Sequence, residues 1–545
     1  MKKHLFNLGR AWRGNLAPAL ALGASLLISP AVLAEPPRVL ELTPGGVSPL
    51  PFMYGHTNGP GGVMIAPSAG FGGGPFQAMV STNLKGPWLP VGPQFATNYF
   101  TLAFTNIAPI CFYRVRGPDP AYNGAISCGN CHGFDGVANA WVYDTWKNTK
   151  HAHAYDNLPP FARTNASCLP CHTVGFGFPN GYTANGNPML RGVQCENCHG
   201  PGGAHARNRS NPAKYPAIEL TAKVCGGCHS GAHNPAYEEW ETSGHARLDP
   251  ELVAPFTAGD TNRMNSCGPC HGAAVRMALL KRQPLPKGAE ANQGVVCVTC
   301  HEPHGDSTNT ASLRNPLFST NDYTYFTAGA FSTQYNAAIQ ICGQCHNDRG
   351  AVWTTTSRPP HHSPQYNMLL GSVGELVSGQ SPYYPAAHAT MITNQCVGCH
   401  MQTSPYVSDI QPAVTGHNFA VTTYASCLQC HPLPEGLVHF TTGAISNQIQ
   451  QVQQALNYWA LNQAPPALRT KYGTRAWEFT TPGSLSTGGT GPTTAEQTQI
   501  PANIKKARFN LYLVLHDGSF GVHNAPFAVG LLDAAMNFVQ AELNN

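Results

Sequence analysis

The chain has 545 residues, of which 56 are Gly and 47 are Pro, whereas Asp, Glu, Lys and Arg together make up only 11%. Such a composition predicts a protein poor in regular helix and strand, although its length allows about three or four domains of ordinary size. The formal net charge of +4 at pH 7 is small for this length, so the composition does not mark the chain as strongly basic or acidic.

Residues 1–34 have the pattern of a secretory signal peptide. Four basic residues between positions 2 and 13 precede an apolar run from Leu16 to Leu33, and Ala34 ends a stretch of small residues. We expect cleavage after Ala34 and an exported protein, periplasmic, on the outer surface or extracellular. A retained anchor is the weaker alternative because Pro18 and Pro30 interrupt the run, and we expect no transmembrane segment elsewhere. Cleavage would bring the net charge to zero (4 − 4 = 0).

Residues 35–120 are predicted to form a small β domain. Five segments rich in β-branched and aromatic residues lie between Gly and Pro clusters, which is typical of short strands: PPRVLELTP, GGVMIAPS, FQAMVSTN, YFTLAFT and ICFYRVR. The phrase STNLKGPWLPVG followed by FYRVR resembles the late strands of a fibronectin-type or immunoglobulin-like β-sandwich. Such a domain would serve for adhesion or as a spacer. Cys111, which belongs to no motif, is expected to be a buried small hydrophobic residue.

Eighteen of the nineteen cysteines form nine Cys-x-x-Cys units, and a His follows each unit directly. Disulfides would not need the His, zinc sites would need two units to converge on one metal, and redox-active pairs do not occur nine to a chain. The remaining interpretation is covalent c-type haem, in which both thiols bond one haem and the imidazole binds its iron. We therefore predict nine haems. The attachment cysteines are Cys128, Cys131, Cys168, Cys171, Cys195, Cys198, Cys225, Cys228, Cys267, Cys270, Cys297, Cys300, Cys342, Cys345, Cys396, Cys399, Cys427 and Cys430. The proximal ligands are His132, His172, His199, His229, His271, His301, His346, His400 and His431.

The nine motifs suggest a three-haem unit that is used three times. The first, fourth and seventh motifs read CGNCH, CGGCH and CGQCH. The second and fifth, CLPCH and CGPCH, share a proline and each follow a Trp-x4-His-Ala phrase, and the third and sixth each follow Gly-Val. We expect trihaem units at 121–215, 216–310 and 311–440, with the third the most diverged. Trp146 and Trp240 of the two phrases would fix the turn that aims the nearby His, or are ordinary core aromatics.

A second imidazole on an iron closes its coordination and leaves electron transfer as the main chemistry. Of the 24 histidines, nine are proximal and one lies in the signal, which leaves 14 (24 − 9 − 1) for nine irons. The choices between His151 and His153 and between His361 and His362 stay open. The predicted second ligands are His151, His205, His245, His304, His362, His388, His417, His516 and His523. The reserves are His56, His153, His233, His361 and His439.

Residues 441–545 are predicted to be a helical region. Apolar residues recur at helical spacing from Ile445 to Trp459 and form one stripe. A linker rich in Ser, Thr and Gly at 481–503 separates this helix from a segment at 504–516 and a last helix at about 526–543. The predicted fold is thus multidomain: a β-sandwich-like domain, a loop-rich and mainly α nonahaem region, and C-terminal helices.

From residue 121 onward the chain resembles the multihaem cytochrome c superfamily that includes hydroxylamine oxidoreductase and pentahaem nitrite reductase. The resemblance lies in the Trp-x4-His-Ala phrases and in CHGPGGAH, CHEPHG, PHHSPQYNMLLG, TGHNF and ARFNLYLVLHDGSFGVHNAPFAVGLLDAA. The chain is also similar to outer-surface cytochromes of metal-reducing bacteria. The resemblance implies that His523, in the GVHN phrase, is a distal haem ligand. No motif ends in the Lys that binds the catalytic haem of the nitrite reductases, which argues against nitrite reduction.

Two function classes remain. The first is an electron conduit along nine bis-His haems in respiration to external or insoluble acceptors, with no catalytic residue; the second is an oxidoreductase acting on a small nitrogen or sulfur compound at one open haem. Haem propionates would make the near-neutral chain acidic, which excludes nucleic acid as a partner and favours redox proteins or mineral surfaces. A homopolymeric filament is a further hypothesis within the first class.

Overall fold

The computed structural model describes seven strands between residues 39 and 116 and, after them, residues 122–133, 142–178, 181–183, 187–207, 209–216, 220–305, 310–314, 341–377, 386–392, 394–479 and 491–544. The chain divides into two compact units, one made of 1–43 and 51–118 and the other of 44–50 and 119–545.

The described part of the first unit consists of two antiparallel sheets. The strands are β1 (Val39–Glu41), β2 (Met53–Thr57), β3 (Gly62–Pro67), β4 (Phe76–Ser81), β5 (Leu89–Phe95), β6 (Phe100–Ala103) and β7 (Phe112–Arg116). One sheet has the order β1-β2-β3-β6 and the other β5-β4-β7. Five strands fall in predicted segments, and β5 overlaps the end of the phrase STNLKGPWLPVG, whereas β2 was not predicted. β5 contains Pro90 and Pro93 and lies at a sheet edge, where proline is tolerated. The packing of the sheets into a sandwich stays a prediction, and Cys111 lies outside the described residues.

The second unit is mainly helical and loop-rich. The helices before the last motif are α1 (Ala125–His132), α2 (Val142–Trp146), α3 (Leu169–His172), α4 (Cys195–His199), α5 (Gly203–Arg207), α6 (Ala222–Gly226), α7 (Ala236–Thr242), α8 (Pro250–Ala258), α9 (Thr261–His271), α10 (Ala273–Leu280), α11 (Cys297–Cys300), α12 (Gln365–Leu370), α13 (Ala387–Met391) and α14 (Gln395–His400). Short 3₁₀ helices occur at Pro160–Thr164, Pro188–Leu190, Pro212–Lys214, Gly244–Ala246, Gly288–Ala291, Thr310–Ser312, Ala425–Gln429, Gly473–Arg475 and Glu496–Gln499.

Most motifs coincide with one short helical turn. The helices α1, α3, α4, α9 and α14 each end on the His that follows the second Cys. Residues three apart lie on one face of a helix, so this turn presents both thiols on one side. The motif sequence therefore produces the local geometry that attachment to a single porphyrin requires.

Three long helices make the largest apolar core of the described chain. They are α15 (Pro434–Asn462), α17 (Ala502–Asp517) and α18 (Ala525–Leu543), with the short α16 (Pro466–Tyr472) beside them. The predicted stripe from Ile445 to Trp459 is buried in this core.

The C-terminal helical region differs from the prediction in its start and in its linker. Because α15 starts at Pro434, the predicted boundary at 440/441 falls inside a helix. Within the predicted linker, Gln497 and Ile500 are buried, and α17 begins at Ala502. Among the described residues, no helix is both long enough and apolar enough to cross a bilayer.

Candidate haem-binding sites

Eight of the nine proximal histidines each face a second histidine at nearly the same separation. An iron with two imidazole nitrogens about 2 Å away on opposite sides holds the ring centres about 6 Å apart. The observed centre-to-centre distances run from 5.9 to 6.4 Å. The pairs, proximal residue first, are His132–His205, His199–His304, His229–His151, His271–His361, His301–His417, His346–His245, His400–His523 and His431–His388.

His172, which follows the second motif, is the exception. Its Nδ1 lies 2.7 Å from the carbonyl oxygen of Ala154, a contact that orients Nε2 outward as in a metal-ligating imidazole. Within the described part of the chain, no second imidazole ring is in contact with it.

Two of the predicted second ligands lie elsewhere. Of the adjacent His361 and His362, it is the reserve His361 that faces His271, with the ring centres 5.9 Å apart. Its Nδ1 lies 3.2 Å from the hydroxyl of Ser363. His362 is exposed and stacks on His516 at 3.8 Å. The Nδ1 of His516 lies 2.8 Å from the carbonyl oxygen of Pro360, in the same loop. Neighbouring residues point in different directions, and sequence alone does not choose between them.

Of the other reserves, the three whose side chains are described do not face a proximal imidazole. His153 and His439 are exposed. The ring of His233 lies against that of Tyr406, with the ring centres 3.8 Å apart. His56 lies in β2, and its side chain is outside the described residues.

The two Trp phrases are held by the same pair of hydrogen bonds. The Trp146 indole donates to the carbonyl of Val193 at 3.1 Å, and the Val193 amide donates to the carbonyl of His151 at 2.8 Å. The corresponding distances for Trp240, Val295 and His245 are 2.8 and 2.7 Å. The first phrase is thus fixed to the Gly-Val segment before the third motif, and the second phrase to the Gly-Val segment before the sixth motif. The Trp residues position the histidines, as one of the two sequence interpretations proposed.

The glycine of each Gly-Val segment allows this close approach. A Cβ at Gly192 would lie 2.3 Å from the carbonyl oxygen of Ala152, and one at Gly294 would lie 2.4 Å from that of His245. Gly192 also has a φ of +86°, which other residues rarely adopt. The shared sequence before the third and sixth motifs therefore has a steric cause.

Carboxylates orient two of the second histidines. Asp517 Oδ1 accepts a hydrogen bond from His523 Nδ1 at 2.6 Å, and Glu302 Oε1 accepts one from His304 Nδ1 at 2.8 Å. Although burial opposes ionisation of Glu302, the hydrogen bond from His304 and the charge of Arg314 bring its pKa down to about 2. A carboxylate on Nδ1 fixes the tautomer that leaves Nε2 free for a metal and makes the ligand more basic.

Burial keeps several of the facing imidazoles neutral. Burial, followed by the neighbouring His346, lowers the pKa of His245 to about 4, and burial with Arg349 lowers that of His361 to the same value. The neutral imidazole is the form that binds a metal. Two thiols and one imidazole per motif, with a second imidazole in eight cases, therefore fit c-type haem.

This donor set, repeated along a loop-rich helical chain, defines a multihaem c-type cytochrome. Residues 127–200 and 341–432 match the family model for cytochrome c554 and c-prime. Cytochrome c-554 from Nitrosomonas europaea is 31% identical over 172 residues, which cover 26% of this chain and 70% of that protein. The chain belongs to this family of multihaem cytochromes. The predicted resemblance is confirmed, and c-type haem and electron transport follow from it.

The chain is also similar to two other proteins. The multihaem cytochrome MtrA from Shewanella baltica is 25% identical over 301 residues, which cover 50% of this chain and 78% of that protein. The crystal structure of the outer cell wall cytochrome OcwA covers 70% of this chain and 77% of its own, with 22% identity and a TM-score of 0.46.

Proposed function

We propose that this protein is exported, carries nine covalently attached haems and conducts electrons along them to a redox partner or an insoluble acceptor outside the cytoplasm. The observation that carries the proposal is the set of eight imidazole pairs at 5.9–6.4 Å. An iron closed by two imidazoles exchanges electrons without binding a substrate. The packing of so many closed sites in one chain suits conduction better than catalysis.

Reoxidation of the reduced protein tests this function. Holoprotein isolated from the native host, with its haem number established by intact mass, is reduced stoichiometrically and mixed with ferric oxide particles while the haem absorbance is followed. Rapid reoxidation of the whole haem population supports conduction. Reoxidation of only a fraction of the haems, or none without a soluble mediator, contradicts it.

A second candidate function concerns the haem of the second motif. Because His172 has no imidazole partner in the described chain, its iron would be open to a small nitrogen or sulfur compound. Binding of nitrite or hydroxylamine that perturbs one haem in nine, followed by turnover, favours this oxidoreductase activity. Binding without turnover leaves the conduit as the function.

The N-terminal unit is proposed to be a fibronectin- or immunoglobulin-like sandwich that acts as an adhesion module or spacer. Its two antiparallel sheets of four and three strands support this assignment. Association of copies into a filament is a separate proposal, which size-exclusion chromatography with light scattering tests directly. Loss of association on deletion of residues 35–118 would assign the contact to this unit.

A further inference from the structure

Thiols of different motifs lie against one another in a regular pattern. The first cysteine of the first motif, Cys128, contacts Cys195, the first cysteine of the third motif. In the same way Cys225 of the fourth motif contacts Cys297 of the sixth. The seventh motif breaks the expected series, because Cys342 contacts Cys396 of the eighth motif and not the ninth.

The second cysteines form another regular series. Cys171 of the second motif contacts Cys228 of the fourth. Cys270 of the fifth motif contacts Cys345 of the seventh. The second motif is therefore a neighbour of the fourth, and the fifth is a neighbour of the seventh.

Weaker electrostatic interactions join the remaining neighbours. Cys198 of the third motif interacts with both cysteines of the fourth. Cys300 of the sixth interacts with both cysteines of the seventh. Cys399 of the eighth interacts with Cys427 of the ninth. Together with the thiol contacts, these interactions link all nine motifs without closing a ring.

We propose that the haem sites form a single seven-site line in the order first, third, fourth, sixth, seventh, eighth and ninth motif, with the second and fifth as side sites on the fourth and seventh. The eighth motif occupies the position of a third motif, and the ninth begins an incomplete fourth unit. The repeat is thus not three equal units of three. This inference rests on the proposed function in that it requires a haem at each motif.

The source of the second histidine supports the new register independently. The fourth, seventh and ninth motifs face His151, His245 and His388. His151 lies in the sequence between the first and second motifs, His245 between the fourth and fifth, and His388 between the seventh and eighth. His388 therefore corresponds to the histidines of the Trp phrases, which makes the ninth motif equivalent to the fourth and seventh.

The third-motif positions follow a rule of their own. The third, sixth and eighth motifs face His304, His417 and His523. His304 follows the sixth motif, His417 the eighth and His523 the ninth. Each of these motifs is the last of the next unit, if the ninth motif is counted as an incomplete fourth unit. The eighth motif therefore behaves as a third motif, in agreement with its thiol contact.

Electrons moving from one end of the line to the other have no need to visit the side sites. The line of sites ends at the first and ninth motifs. The second and fifth motifs lie beside the line, and each has one neighbouring site. A partner that uses the whole line must meet the protein at the first or ninth motif. The second and fifth sites can only exchange electrons locally with the fourth and seventh.

Paired variants within one unit test the branching. Cys267→Ala/Cys270→Ala removes attachment at the side site, and Cys297→Ala/Cys300→Ala removes it at the adjacent line site. Each purified variant must retain eight haems by intact mass. Single-molecule conductance between electrodes is expected to persist in the first variant and to be lost in the second. Loss in the first variant or persistence in the second overturns the proposed order.

The positions of the irons provide a test that does not depend on how the variants fold. Anomalous diffraction at the iron edge from crystals of the unmodified protein locates each iron. The second iron is expected to have one close neighbour, the fourth, and the ninth to have one, the eighth. A ninth iron beside the seventh, or a second iron with two neighbours, overturns the order. Neither result bears on whether the protein conducts, which the reoxidation experiment decides separately.

Discussion

At the scale of single residues, the site consists of a histidine that the sequence assigns to its motif and a second histidine whose partner motif the sequence does not reveal. The proximal residue follows its Cys-x-x-Cys directly, so its position in the sequence identifies its role. The second ligand comes from a distant segment, and its direction depends on local contacts. His361 is aimed by Ser363, whereas the adjacent His362 is exposed and stacks on another ring.

Replacement of a second histidine should open one iron. In His523→Ala, the haem of His400 loses its facing imidazole but keeps its thioether bonds. We expect one additional high-spin signal in electron paramagnetic resonance and one additional carbon monoxide-binding haem. His439→Ala, at an exposed histidine, is the control and should change neither. An unchanged spectrum in His523→Ala would exclude this residue as a ligand.

The carboxylate of Asp517 should tune the same haem. It accepts a hydrogen bond from His523 Nδ1 at 2.6 Å and so favours the ferric state by making the ligand more basic. Asp517→Asn should raise one midpoint potential by tens of millivolts, since a tenfold change in relative affinity corresponds to about 59 mV for one electron. Spectroelectrochemical titration measures this shift. A lower potential, or shifts spread over all haems, would be inconsistent with a local effect.

At the scale of secondary-structure elements, each repeated Trp-x4-His-Ala phrase holds a histidine of one unit against the proximal histidine of the next unit. Trp240 and the Gly-Val segment fix the turn, and His245 then faces the proximal histidine of the following unit. The sequence shows the repetition and the residues that orient the ligand. It does not reveal the receiving iron, because that depends on how successive units pack.

The glycine before the sixth motif should be intolerant of a side chain. In Gly294→Ala the added methyl group would meet the His245 carbonyl oxygen at 2.4 Å, so the phrase must move. We expect partial loss of the second ligand at the haem of His346, seen as a rise in high-spin signal. Gly244→Ala is the matched control, since a Cβ there has no neighbouring atom within 4 Å in the described chain. Equal spectra for the two variants would argue against this close approach.

The C-terminal helices should stabilise the protein through their buried stripe. Trp459 is 2% exposed, whereas the adjacent Tyr458 is 58% exposed. Trp459→Ala should lower the free energy of unfolding by about 3–5 kcal/mol, and Tyr458→Ala should have little effect. Denaturant titration followed by far-ultraviolet circular dichroism measures both. Similar losses in the two variants would mean that the helix does not pack through this face.

At the scale of the whole molecule, haem attachment and the helical C-terminal region were predictable, whereas the assembly of the units was not. Cys-x-x-Cys-His is a contiguous chemical signature, and the stripe from Ile445 to Trp459 follows the helical period. The order of the sites arises from contacts such as Cys342 with Cys396, which join segments more than fifty residues apart. The motif sequences group the seventh, eighth and ninth motifs into one unit, whereas the contacts give the eighth motif the position of a third motif and the ninth that of a fourth.

The spin states of the nine irons test the account most directly. Eight imidazole pairs, and a His172 that no second imidazole faces among the described residues, predict that the ferric holoprotein contains eight low-spin irons and one high-spin iron. Integrated electron paramagnetic resonance, normalised to a haem number determined by intact mass, gives this ratio. A ratio of eight to one supports a conduit with one open side site. Two or more high-spin irons would contradict the eight closed pairs on which the proposed conduction rests.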